Sequence, residues 1–305
     1  MYRQFTLLCS VVATLIAASA THAAESDACR DIRLRFETIK PQISAIEVSL
    51  TLFSAVDKNC LELVTELLEH GASVDARDRL GARPLSHAAR FGHLPVVDLL
   101  LARGAPIDAR NLAGATALYF AIDGDNTAVA QRLIERGANV NLAGRGGVTP
   151  LAVAAYRGND VIAESLLARG ADDSATDETG KSPIIYAAAA GWADVVSRLL
   201  ARNVDINARY ANDLTLLMWA CGPDDSALES QAIKVVQQLL DAGAHVDDRD
   251  ARGRTALMIA AEGGHANIAN LLLAHGADPA LRDKDGKRAA DLTVLTALRE
   301  RLTPP

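Results

Sequence analysis

The sequence predicts an all-α solenoid, in which pairs of helices stack in a row. Three observations predict it. A Gly-Ala pair recurs at Gly71, Gly104, Gly137, Gly170, Gly243 and Gly276, which sets a period of 33 residues broken by one gap of 73. Between these marks "RPLSHAARFGHLPVVDLLLARGA" (83–105), "TPLAVAAYRGNDVIAESLLARGA" (149–171) and "TALMIAAEGGHANIANLLLAHGA" (255–277) superpose. Within a copy the apolar residues fall at helical spacing, as at Val96, Val97, Leu99 and Leu100. Fixed self-similarity of this length marks a stack of units, each of which buries its apolar face only against its neighbours.

In chain order, the first element stands apart. Arg3 precedes the uncharged apolar run 5–20, and small residues follow, with Thr21 and Ala23 at −3 and −1 of a cleavage site. This is the pattern of a signal peptide, residues 1–23, cut after Ala23, with Ala20 as second choice. The competing reading is an uncleaved anchor, but the run is shorter than the roughly 20 residues of a spanning helix. No later stretch is long and continuously apolar, so no membrane contact is expected after cleavage. Residues 24–50 form an N-terminal segment expected to pack on the first copy, with a short helix within 26–40.

Each repeat opens on a first helix. Thr149 can accept a backbone N–H as its cap, and Pro150 suits the first turn, where its missing N–H is not needed. The alanine pairs Ala88-Ala89, Ala154-Ala155 and Ala260-Ala261 are small enough for neighbouring copies to approach closely. Gly92, Gly158, Gly191 and Gly264 end the first helix in a left-handed conformation. The second helix follows, the Gly-Ala pair ends it, and "VDARD" and its relatives lead to the next copy. In the long gap, "RNVDINARY" (202–210) is a degenerate copy with Asn203 in the glycine place.

These motifs closely resemble the ankyrin repeat over about residues 51–292. Seven copies are read: 51–78, 79–111, 112–144, 145–177, 178–210, 211–250 with seven extra residues, and 251–283. Residues 284–305 read as a C-terminal cap and tail. Two departures stand out: Leu216 replaces the proline, and "GPDDSALESQ" (222–231) enlarges the sixth copy. There Gly222-Pro223 should stop the first helix, and Asp224 or Ser226 should cap a longer second one. The resemblance implies a concave face used to bind other proteins. It also implies a structural role for His93 and His265, which follow the interhelical glycine. His87 lies one place from the family's usual histidine.

Chemistry is scarce. No phosphate loop, H-E-x-x-H, C-x-x-C or G-x-S-x-G occurs, and no carboxylate pair sits in an apolar setting. No catalytic residue, cofactor or metal is assigned, and no enzyme is expected. Without residues 1–23 the chain carries 30 basic against 38 acidic residues, which argues against a nucleic-acid partner.

The candidate binding residues fall in two groups. Arg77, Arg110, Arg209, Arg249 and Arg282 occupy one place before the hairpin turn. They read either as a basic ridge for an acidic partner or as a solvated stripe balanced by nearby aspartates. In the family, positions at the end of the first helix line the concavity. Here they include Arg90 and Phe91, Asp123 and Gly124, Tyr156 and Arg157, Ala189 and Ala190, and Glu262 and Gly263. Phe91, Tyr156, Arg90 and Arg157 are of types enriched at interface hot spots, and outline a shallow pocket over Asp123-Gly124. The alternative is that the two rings merely cover the stack.

Of the three cysteines left after cleavage, Cys221 aligns with Ala89 and Ala261 and should be buried and unreactive. Cys60 aligns with His93 and is expected near the surface. In an oxidising compartment a Cys29–Cys60 disulfide is expected to tie the N-terminal segment over the first copy. The expected function is that of a monomeric, periplasmic or secreted protein-binding module, a scaffold or chaperone-like protector of an exported partner. A secreted effector acting on host proteins, and a redox module using Cys29 and Cys60, remain as alternatives.

Overall fold

The computed structural model describes residues 26–39, 44–202, 204–222 and 229–303. The signal peptide with its site after Ala23, the glycine-place Asn203 and the expected caps Asp224 and Ser226 lie outside them. Among the described residues there are no strands, and no helix is long and apolar enough to cross a membrane. The chain divides into two compact units, residues 1–76 and 77–305.

The first unit holds α1 (Asp27–Ile39), α2 (Ala45–Asp57) and α3 (Leu61–Glu69). Helix α2 starts at Ala45, so the repeat boundary read at 51 falls inside it. Its start is fixed by a capping box: Ser44 accepts the Glu47 N–H, and the Glu47 carboxylate accepts the Ser44 N–H. Helix α1 is the expected segment helix. It buries Phe36 edge-on to His70 and sets Arg33 2.5 Å from Glu66 on α3. Cys29 on α1 is bonded to Cys60, the residue before α3, with Cα atoms 5.4 Å apart. Cys60 is only 3% exposed, which corrects the expectation of a surface position. Alignment with His93 described a repeat without a cover, whereas α1 is tied directly to this residue.

The second unit repeats a helix pair. First helices are α4 (Pro84–Arg90), α6 (Ala117–Asp123), α8 (Pro150–Arg157), α10 (Pro183–Ala189), α12 (Leu216–Cys221) and α14 (Ala256–Glu262). Second helices are α5 (Leu94–Ala102), α7 (Thr127–Glu135), α9 (Asp160–Ala168), α11 (Ala193–Leu200), α13 (Glu229–Asp241) and α15 (Ala266–Ala274). Short helices α16 (Ala289–Leu292) and α17 (Thr296–Leu302) close the end. Each first helix packs on the next first helix and each second helix on the next second helix, giving two layers.

The local reasons are those the repeat letters suggest. Thr116, Thr149, Thr215 and Thr255 each accept the N–H three residues on. The alanine pairs at 88–89, 154–155 and 260–261 are fully buried where first helices meet. Gly104 (φ 83°) has open space around it, so its left-handed backbone is what calls for glycine. Gly158 (φ 70°) adds a second reason, because a Cβ there would run into the Trp192 ring. Hairpins are zipped by backbone bonds, Leu112 N to Leu80 O at 2.9 Å and Glu178 N to Gly146 O at 2.9 Å. The enlarged copy appears as a longer second helix: α13 has 13 residues where α5, α7, α9 and α15 have 9.

Candidate functional site

The fourth residues of the first helices form one column: His87, Phe120, Val153, Tyr186, Trp219 and, after the long copy, Ile259. Their identical register places them on one face of the first-helix layer. Three of these rings face a cation. The Arg90 guanidinium lies 4.9 Å over Phe120, and the Lys181 ammonium lies 4.9 Å over Trp219 and 5.9 Å from Tyr186. Tyr156 meets Tyr186 edge to face at 6.3 Å, and Phe91 stacks on His93 at 6.0 Å.

Phe91 is 51% and Tyr156 57% exposed, a large apolar area left open to water. The pocket outlined over Asp123-Gly124 is not left empty. Arg157 reaches Asp123 at 2.7 Å, and a Cβ on Gly124 would meet the Arg90 carbonyl. The helix ends carrying these side chains are held by the residue after the interhelical turn of the next copy. Asn126 donates its amide to the carbonyls of Ala89 and Arg90, at 3.0 and 2.7 Å, and the Trp192 indole donates to Tyr156 O at 2.8 Å. His93 and His265 share that register, and His265 is buried.

Hairpin aspartates steady the column from below. Tyr186 donates its hydroxyl to Asp177, whose carboxylate also accepts the N–H groups of Thr179 and Lys181. Burial pushes the Asp177 carboxyl up, yet these hydrogen bonds together hold it below its ordinary value. Burial, followed by the Asp177 hydrogen bond and charge, holds the Tyr186 phenol well above its own. His87 makes the matching contact with Asp78 at 3.1 Å, a role its displacement from the family histidine left obscure. Ala189 and Ala190 add no bulk beside Tyr186, and Glu262 is paired with Arg254 at 2.9 Å.

The hairpin arginines are exposed but mostly turned to backbone. Arg110 donates to Gly114 O and, in the next copy, to Ala143 O, both at 2.8 Å. Arg209 reaches Arg249 O at 2.7 Å, Arg249 reaches Arg282 O at 3.2 Å, and Arg282 reaches Gly286 O at 2.6 Å. Arg77 stands exposed at the start of the unit. Sequence reasoning did not single out Phe120, Lys181, Tyr186 or Trp219. Their signal was present in the 33-residue spacing of positions 120, 186 and 219. Among the described residues no cluster of three or more His, Cys, Asp or Glu side chains is placed to hold a metal ion.

Comparison with known proteins agrees with this architecture. Family models described as ankyrin repeats (3 copies) match residues 85–177 and 151–227, and models of ankyrin repeats (many copies) match 52–101 and 239–292. Ankyrin repeat domain-containing protein 63 of Mus musculus and of Homo sapiens are each 41% identical over 81 residues, 27% of this chain and 20% of theirs. The 2-5A-dependent ribonuclease of Homo sapiens is 43% identical over 61 residues, 20% of this chain and 8% of that enzyme. The matched parts thus span a fifth or less of these relatives. With its repeats matched along most of residues 52–292 and folded as stacked helix pairs, the chain belongs to the ankyrin-repeat proteins, a family of protein-interaction modules.

Proposed function

We propose that this is a non-enzymatic module that binds a protein partner outside the cytoplasm, through the open face of its first-helix layer. As scaffold or chaperone-like protector, it would serve an exported protein. One observation carries the reading. In a chain only 4% aromatic, Phe91, Tyr119, Phe120, Tyr156, Tyr186 and Trp219 all sit on or at the end of first helices of consecutive copies. Such rings combine large contact area with little conformational entropy, and they dominate interface energetics. The location rests on the signal-like segment 1–23 and on a cysteine pair suited to an oxidising compartment. The redox alternative gains nothing from Cys29 and Cys60, since both are buried. The net negative charge disfavours nucleic acid as a partner.

The test begins with crosslinking in cells, capture from the extracytoplasmic fraction and mass spectrometry. Phe91→Ala with Tyr156→Ala should then weaken binding of the identified partner by about 2 kcal/mol or more. The circular-dichroism spectrum should not change. Unaltered affinity in a folded double variant rejects this face as the site.

A further inference from the structure

From the same face, and resting on the reading above, we infer the chemistry of the partner: an extended segment with an acidic residue at each end of an uncharged, aromatic-rich stretch. The protein is acidic as a whole, with a formal charge of −7, so a face of opposite character is informative. Two cations mark it. Arg90 lies over Phe120, and Lys181 lies over Trp219 and beside Tyr186. These rings belong to one column, so both cations present to one side. Each lies over a ring, and among the described residues neither is paired with a carboxylate. A cation over an aromatic face keeps its full charge and gives up part of its hydration, which prepares it for an incoming anion.

Two carboxylates between them are already occupied. Asp123 is paired with Arg157. Asp177, in the same hairpin as Lys181, is occupied by the Tyr186 hydroxyl and by three donors from Thr179 and Lys181. What remains open in the middle is Tyr156, Tyr186 and the small Ala189 and Ala190. The face therefore reads as cation, aromatic floor, cation.

The spacing follows from the stack. Phe120 and the Tyr186–Trp219 pair are two to three helix packings apart, about 25 Å at the usual 8–10 Å between packed helices. An extended chain covers that distance in about eight residues at roughly 3.3 Å each. A helical partner would need about seventeen residues and would present only one stripe of them. A line of rings with one cation at each end suits an extended segment better.

The experiment uses the full chain after signal removal and phage-displayed random dodecapeptides. Selection on the wild-type protein should enrich pairs of Asp or Glu seven to nine positions apart, with Tyr, Phe or Pro between. Selection on Arg90→Glu with Lys181→Glu should enrich Lys and Arg at those places. A fluorescein-labelled peptide made from the wild-type consensus should bind at least tenfold more weakly to Arg90→Gln with Lys181→Gln, a milder change that guards against misfolding. Its affinity should also fall between 0.1 and 0.5 M NaCl, as screening requires. No enriched pair, or a pair unchanged by charge reversal, overturns the inference. Peptides that lose binding with Phe91→Ala and Tyr156→Ala but ignore the charge variants leave the binding face standing and remove the acidic-segment partner. Peptides indifferent to both sets remove both.

Discussion

Arg198 clasps Asp160 of the preceding copy with two parallel hydrogen bonds, Nε to Oδ1 at 2.6 Å and Nη2 to Oδ2 at 2.7 Å. The pair ties α11 to α9 in the second-helix layer, behind the aromatic face. The Arg198 hydrogen bonds hold the Asp160 carboxyl below its usual range, against a smaller opposing effect of burial. A group whose folded pKa is depressed stabilises the fold above its unfolded value and loses that contribution as pH falls through the folded one. Arg198→Ala should therefore lower stability at pH 7 by about 1 kcal/mol, since both side chains are partly exposed. The gap to wild type should shrink below about pH 4, as the Asp160 carboxyl takes up its proton. Urea midpoints at pH 7 and at steps from about pH 4 down to about pH 2 check this; a gap that does not narrow across that range places the effect elsewhere.

Cys29–Cys60 closes a sequence separation of 31 residues. Chain entropy gives such a loop about 3–4 kcal/mol. Cys29→Ser with Cys60→Ser should destabilise the first unit by that order and expose α1 amides to hydrogen exchange. Non-reducing peptide mapping of protein from its native compartment tests the pairing itself. Free thiols at these two positions, or either one joined to Cys221, contradict it.

Cys221 lies fully buried at the end of α12, and burial pushes its thiol far above the ordinary range. It should resist iodoacetamide at pH 8 in the native protein and react completely in 6 M urea. Mass spectrometry of the two samples decides. Rapid native alkylation would mean that the first-helix layer opens at this copy.

Arg110 separates the two readings of the hairpin arginines. Its fork makes two carbonyl bonds, one within its own hairpin and one to the next copy. Lysine cannot reproduce that fork. Arg110→Lys should cost roughly 1 kcal/mol of stability and leave partner affinity unchanged. Weaker partner binding with unchanged stability would instead favour the basic ridge.

Much of the architecture was written in the sequence, because repeat period, helix caps and left-handed turns are local. Thr149, Pro150 and the left-handed turn at Gly158 each act on backbone within a few residues, so those roles could be read without coordinates, whereas the Trp192 ring against Gly158 could not. Cys221 in an alanine place was read as buried for the same reason, since the register of one copy describes all copies. The sequence also determined which positions share a face, as the spacing of Phe120, Tyr186 and Trp219 records. Tertiary structure alone decided what those shared positions touch. Cys60 is buried because of a helix outside the repeat register, and Arg110, Arg209 and Arg249 reach carbonyls of the next hairpin because the next copy brings them within range. Arg90 and Lys181 sit over rings of other copies, 30 to 38 positions away in the chain. Periodicity fixes direction along a helix, but the partner of a side chain depends on how closely successive copies pack, and that distance is set by the whole stack.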